Sequence, residues 1–327
     1  MRCVVAPGDG TLAVEDRPDP RPGPGEVRVR VHAAGLNRAD LLQRAGLYPA
    51  PPGVPADIPG LEFAGEVIEQ GEGVTRPAVG DRVFGITAGG GQATEIVVAA
   101  AHCAPVPDAL DLVAAGGVPE VFLTAHDALR TQARLAPGER VLVHAVGSGV
   151  GTAVVQLARA WGCATVGTAR TADKLTRAEA LGLDAAVLAP RDFAPPDLAR
   201  TITRAAGGPI DVAADLVGGA YVAADVLAAA PGGRVVLIGT LAGGRTDLPI
   251  LAVMSKRLSI HGTVLRPRTL DEKATATAAF TAEVVPLLDR GEVAPIVDAV
   301  LPLDDAAVAY ELLASDTTFG KVILDCR

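Results

Sequence analysis

Arg140-Val141-Leu142-Val143-His144-Ala145-Val146-Gly147-Ser148-Gly149-Val150-Gly151 is the stretch whose reading decides the fold. It opens with an apolar run and turns through small residues. Beyond it Val154, Val155, Leu157, Ala158 and Trp161 recur at roughly helical spacing, and a second apolar run, Ala164-Thr165-Val166, follows. Strand, tight turn, helix and strand in that order make the βαβ unit of a dinucleotide-binding fold. Small residues in the turn let backbone N–H groups approach a pyrophosphate. The helix N-terminus then meets the anion with unpaired N–H groups and the positive end of its dipole. Ser148, Gly149, Val150 and Gly151 are therefore candidate cofactor-binding residues. The letters fit G-x-G-x-x-G poorly, because counting from Gly147 reaches Gly149 and then Thr152, so a purely structural turn is the competing reading.

The end of the second strand bears on which dinucleotide is bound. An NAD site usually has an Asp or Glu there for the ribose hydroxyls. Here the chain reads Gly167-Thr168-Ala169-Arg170-Thr171-Ala172-Asp173-Lys174. Arg170 and Lys174 are suited to a 2′-phosphate, each contact worth roughly 1.5–3 kcal/mol, and the expected cofactor is NADP(H). The plain alternative is a pair of solvated charges near a helix start.

The 327 residues are enough for two ordinary cores. Hydrophobic residues make up 49% and charged ones 20%, which is a globular composition. A formal charge of −9 argues against nucleic acid as the main partner. Cysteines stand far apart at 3, 103, 163 and 326, with no C-x-x-C pair to suggest a zinc lobe or a disulfide framework. The start, Met1-Arg2-Cys3-Val4-Val5, lacks the apolar core of a signal peptide, and His144, Gln156 and Arg159 interrupt the most apolar segment. The expectation is a cytoplasmic protein without membrane contact.

Val27, Val29 and Val31 alternate with Arg28, Arg30 and His32, the period of a half-buried strand. Residues 18–25 are too rich in Pro and Gly for a helix or a central strand. A short helix is expected over 37–44, then a proline-rich loop after Tyr48, and further strands over 60–67, 80–85 and 93–98. The pattern changes near Asp111, and a helix is expected over 121–134. From Arg140 onward, strands at 141–143, 164–166, 185–188, 210–213, 235–238 and 258–260 alternate with helices, which implies a parallel, doubly wound sheet. After Val264 a long helix over 270–288, a strand near Ile296, a helix over 304–313 and a strand over 321–324 are expected. The chain thus divides into 1–118, 119–263 and 264–327, with the last part rejoining the first.

Several stretches together resemble one family: Ala34-Gly35-Leu36-Asn37-Arg38-Ala39-Asp40-Leu41-Leu42-Gln43-Arg44 with Gly46-Leu47-Tyr48, Val79-Gly80-Asp81-Arg82-Val83-Phe84, Pro119-Glu120, Leu123-Thr124-Ala125, Val217-Gly218-Gly219, Leu265-Arg266 and Gly320-Lys321. On these the chain resembles the zinc-independent medium-chain dehydrogenases/reductases of the NADPH:quinone oxidoreductase subfamily. The resemblance implies a GroES-like, strand-rich catalytic domain and a Rossmann domain, with the cofactor in the cleft between them. It implies cofactor contacts at Thr124, Val217, Leu241 and Leu265, with local turn packing as the plain alternative for each. Zinc members carry Cys where Asn37 stands and His where Leu61 stands, and neither replacement is a zinc ligand, so a metal-free chain is expected. Relatives often carry a tyrosine after the third strand, near the adenosine ribose. Here that region reads Leu188-Ala189-Pro190-Arg191. His126 stands where tryptophan is common and reads as packing or a neutral surface residue.

Hydride addition to a quinone leaves an oxyanion that needs a hydrogen-bond donor or a proton. In the resembled family the tyrosine of this motif lies beside the nicotinamide, which makes Tyr48 the candidate donor. Asn37 is the candidate to orient it or bind a carbonyl. Packing beside the proline loop and capping of the following helix are their structural alternatives. Three functions stay open: quinone reduction with NADPH, reduction of an activated C=C bond in an enone, alkenal or enoyl thioester, and NADPH binding without catalysis. The resemblance also implies a homodimer, with the strands near Val235 and Leu258 as the edges that pair.

Overall fold

The computed structural model describes all 327 residues, Met1–Arg327. In chain order the elements are β1 (Arg2–Val5), β2 (Ala13–Asp16), β3 (Glu26–Gly35), α1 (Arg38–Arg44), β4 (Glu62–Gln70), β5 (Arg82–Ile86), β6 (Glu95–Ala99), β7 (Cys103–Pro105), α2 (Leu112–Ala115), α3 (Pro119–His126), β8 (Arg140–Val143), α4 (Gly149–Ala160), β9 (Ala164–Ala169), α5 (Ala172–Ala180), β10 (Ala185–Leu188), α6 (Pro195–Ala205), β11 (Ile210–Asp215), α7 (Ala220–Ala228), β12 (Ala229–Leu237), α8 (Ile250–Lys256), β13 (Ser259–Gly262), α9 (Leu270–Glu283), α10 (Val285–Asp289), β14 (Val297–Pro302), α11 (Ala306–Ala314) and β15 (Lys321–Asp325). Two compact units result: Met1–Leu123 with Leu265–Arg327, and Thr124–Val264.

The first unit is built on a sheet ordered β14-β15-β3-β4-β5-β7, with β6 also paired to β3. The alternation read in β3 puts Val27, Val29 and Val31 into its core beside Phe63, Tyr310 and Val322. The last strand returns to the first part of the chain: Ile323 pairs with Gly35 and Asp325 with Ala33, antiparallel. The long helix expected over 270–288 is instead two helices that meet at Val284. Pro286 lacks an N–H, and its ring excludes the carbonyl four residues before it, so a continuous helix cannot pass.

The second unit is a six-stranded sheet ordered β10-β9-β8-β11-β12-β13. Every neighbouring pair is parallel. Strands buried on both faces read as continuous apolar runs, as β8 does. The chain crosses over after β10 and resumes at β11 beside β8, so the strand order reverses between β8 and β11, and ligands of such sheets bind beyond the carboxyl ends at that point. The expectation that the strand holding Val235 is an edge is corrected: β12 lies between β11 and β13, and β13 alone is open on that side. The helix expected over 121–134 is α only to His126 and continues as a π-helical turn over Asp127–Gln132. No helix is long and apolar enough to cross a membrane.

Candidate functional site

In the second unit the glycine-rich turn joins β8 to α4. Ser148 caps α4, its hydroxyl accepting from the Gly151 N–H at 3.1 Å. Gly149 and Val150 occupy the first helical positions, where N–H groups have no acceptor within the helix. A Cβ on Gly151 would stand 2.5 Å from the Ala145 carbonyl oxygen, so only glycine lets the turn fold this tightly onto the helix start. The cradle fits a dinucleotide pyrophosphate. Arg170 follows the last residue of β9, and Lys174 lies in the first turn of α5. At the ends of β11 and β12, Val217 and Leu241 are brought together, since the Ala242 N–H donates to the Val217 carbonyl at 2.7 Å. Leu241 is 56% exposed, and Thr124 is buried on α3. Arg191 is exposed beyond β10.

Two features of this unit escaped the sequence. Tyr221 on α7 packs edge-on against His144 at 4.7 Å and Phe193 at 4.8 Å. Burial raises its phenol, and the nearby Arg170 opposes that rise. His144 at the end of β8 is fully buried and bridges Thr168 at 2.8 Å and Asp225 at 2.7 Å. His126 is a packing residue, edge-on to Trp161 at 6.0 Å. A groove of about 570 Å³, lined by Arg200, Arg204 and Lys256, opens beside Gly208, Pro209 and Ala229. It lies at the starting ends of β11 and β12, away from the ligand crevice of such sheets.

In the first unit, Asn37 is the N-cap residue of α1, and its backbone N–H donates to Asp40 at 2.7 Å. Its side chain faces elsewhere. The amide donates to Glu62 at 2.9 Å and its oxygen accepts from Lys321 at 2.8 Å. Lys321 also donates to Glu62 at 2.6 Å and to the Leu36 carbonyl at 2.7 Å. The other Glu62 oxygen accepts from the Glu120 N–H at 2.9 Å. Asn37 makes no hydrogen bond to Tyr48. Tyr48 instead lies under Arg266, whose guanidinium sits 4.7 Å from the ring centroid and donates to the Tyr48 carbonyl at 3.0 Å. Arg266 is held further by Ala88 at 2.8 Å and Gln43 at 2.5 Å. Leu265 is buried beside it in sequence.

Three carboxyls and two cations thus share a largely dry region. Burial pushes Asp40 up to about 6. Burial, reinforced by Glu62, pushes Glu120 up to about 8. Burial also raises the Tyr48 phenol, against the pull of Arg266. The residues present do not fit a zinc ion. Asn37 is committed to Glu62 and Lys321, Leu61 is apolar and buried, and the Lys321 ammonium already neutralises Glu62. No group of three or more His, Cys, Asp or Glu side chains is placed to hold a metal. Glu120, Arg266 and Lys321 stand in the sequence as letters of the shared motifs, with no role legible from the letters alone. Lysine directly after a turn glycine, opening a buried strand, was the available signal.

Residues 23–108 match the family of alcohol dehydrogenase GroES-like domains, and residues 149–281 match the zinc-binding dehydrogenase family. Quinone oxidoreductase of Pseudomonas aeruginosa is 34% identical over 97% of this chain and 96% of its own. Pikromycin polyketide synthase component PikAII of Streptomyces venezuelae is 42% identical over 238 residues, which are 72% of this chain and 6% of that protein. The solved quinone oxidoreductase of Thermus thermophilus, described alone and with NADPH, superposes with a TM-score of 0.82 at 33% identity, covering 99% of this chain and 100% of that one. With a GroES-like first unit, a Rossmann second unit and full-length relatives at this identity, the chain belongs to the medium-chain dehydrogenase/reductase family of oxidoreductases, and is quinone oxidoreductase-like within it.

Proposed function

We propose that the chain reduces a quinone with NADPH and works as a homodimer. The observation that carries the cofactor preference is the end of β9, where Arg170 and Lys174 stand and no carboxylate precedes Asp173. When bound, the reduced nicotinamide supplies a hydride. The chain's own residues bind and orient. The N–H groups of Gly149 and Val150 meet the pyrophosphate, with Ser148 and Gly151 shaping the turn. Arg170 and Lys174 take the 2′-phosphate, and Thr124, Val217, Leu241 and Leu265 line the cofactor. Tyr48 donates a hydrogen bond to the oxygen that becomes anionic. Its phenol is protonated at neutral pH at its ordinary value, and burial raises it further. Asn37 acts indirectly, holding Glu62 and Lys321 in register.

The test is NADPH oxidation followed by absorbance with a benzoquinone and a larger naphthoquinone, with NADH and an enone in parallel. Rapid oxidation by a quinone with NADPH preferred supports the reading. Equal rates with NADH remove Arg170 and Lys174 from cofactor selection. A second reading, reduction of an activated C=C bond, is favoured by the similarity to the solved CurK enoyl reductase, 26% identical over 99% of this chain with a TM-score of 0.85. Oxidation with the enone alone would establish it.

A further inference from the structure

Asp215 ends β11 and is fully buried. One carboxylate oxygen accepts from two consecutive backbone amides, Val217 at 2.7 Å and Gly218 at 2.9 Å. Its carbonyl accepts from Ile238 at 2.7 Å and Gly239 at 3.2 Å. One residue therefore grips both loops that leave the carboxyl ends of β11 and β12. Those loops also grip each other: Gly219 donates to the Gly243 carbonyl at 3.0 Å, and Ala242 to Val217. Gly218 and Gly219 both have positive φ, +71° and +56°, and a Cβ on Gly219 would stand 2.7 Å from the Ala242 oxygen. The segment has one way to fold and Asp215 holds it there.

The second Asp215 oxygen is buried without a partner, and so is the second oxygen of Asp225. Asp225 is fully buried on α7, with its first oxygen on His144. The two buried carboxyls interact, and both are satisfied when Asp225 is protonated and its open oxygen donates to that of Asp215. We propose that Asp215 is a positioning residue for the dinucleotide: joined to Asp225 by a shared proton and through it to His144, it holds the 217–219 and 239–243 loops in their ligand-binding form. This rests on the reading that the second unit binds NADPH.

The charge balance supports the shared proton. Burial pushes Asp225 up to about 6, with His144 pulling it down and Asp215 pushing it further up. Burial works against a cationic His144, but Asp225 outweighs it and the ring is raised above its ordinary value. Around the pair stand His144, just past β8, and its neighbours Thr168 from β9 and Tyr221 from α7, with Arg170 near Tyr221. As pH rises through about 6 the Asp225 proton leaves, its carboxylate then faces Asp215 in a dry interior, and the grip on the two loops weakens.

The experiment is NADPH binding, read by fluorescence between about pH 5 and pH 8, across the Asp225 titration, with amide hydrogen exchange at Val217 and Gly218. Wild type should bind less tightly toward the alkaline end. Asp215→Ala should lose on the order of tenfold or more in affinity, since it removes two charge-assisted hydrogen bonds, and should speed exchange at both amides. Asp215→Asn should lose less than Asp215→Ala, and Asp225→Asn should bind with a flatter slope against pH than wild type, because the amide donates where the proton did and only His144 is left to titrate. Unchanged binding in Asp215→Ala, or fast exchange at both amides already in wild type, overturns the proposal. Slow exchange in wild type without NADPH binding overturns the cofactor reading and leaves the loop grip standing.

Discussion

Replacing Lys321 by Met removes a charge from the middle of the first unit while keeping the length of the side chain. The Lys321 side chain is 3% exposed and that of Glu62 is 0% exposed. The ammonium spends its three protons on Glu62 at 2.6 Å, the Leu36 carbonyl at 2.7 Å and Asn37 at 2.8 Å. Without it, the Glu62 carboxylate stays buried with only the Asn37 amide and the Glu120 N–H, and the Leu36 carbonyl and Asn37 oxygen lose a donor. An uncompensated buried charge of this kind costs about 3–5 kcal/mol. Lys321→Met should therefore destabilise the first unit by that amount. Glu62→Gln added to it removes the stranded charge and should recover at least half of the loss, about 1.5–2.5 kcal/mol. Urea unfolding is the assay, with two probes. Trp161, the one tryptophan, lies in the second unit, so its fluorescence reports that unit, while far-UV circular dichroism reports both. A loss under about 1 kcal/mol, the scale of an exposed pair, or a double variant no better than the single one, would refute the reasoning.

Tyr48→Phe should lower turnover while leaving NADPH affinity intact, and unchanged turnover would remove the hydroxyl from the chemistry. Glu120 titrates near 8 when folded against an ordinary 4.5, so its contribution to stability is complete below about 4.5 and is lost as pH rises through about 8; the first unit should weaken over that window, and Glu120→Gln should flatten the curve of urea midpoint against pH. Leu251 and Met254 are 79% and 68% exposed on α8, the helix that leads into the open edge strand β13. Leu251→Asp with Met254→Asp should shift a wild-type dimer to a monomer in sedimentation, and a monomeric wild type would refute the dimer reading.

What the sequence made legible was local. The βαβ unit around Gly151 could be read because strand, turn and helix signals occupy one window, and because a tight turn before a helix demands small residues. The alternation in β3 was legible for the same reason. Pro286 carried its own signal, and the expected helix over 270–288 overrode it, since apolar spacing continues on both sides of the break. The place of β12 as an interior strand was not legible. Which of two apolar strands lies at an edge depends on sheet order, and sheet order is fixed by packing across crossovers rather than by either strand's residues.

The acid–base cluster of the first unit lies further out of reach. Asn37 and Glu62 are 25 residues apart, and Asn37 and Lys321 are 284 apart. In sequence Glu62 reads as a charge at the start of a strand and Lys321 as a charge after a glycine, both ordinary surface positions. Only the antiparallel pairing of β15 with β3 carries Lys321 to the first turn after β3, where burial makes a pair of ordinary charges decisive. The same holds for His144, just past β8, and Asp225 on α7, 81 residues apart. Motif letters single out residues that meet a ligand, because backbone geometry there tolerates few substitutes. Residues that hold those residues in place answer to distant partners, and a buried carboxyl shows its meaning only when the group that neutralises it is beside it.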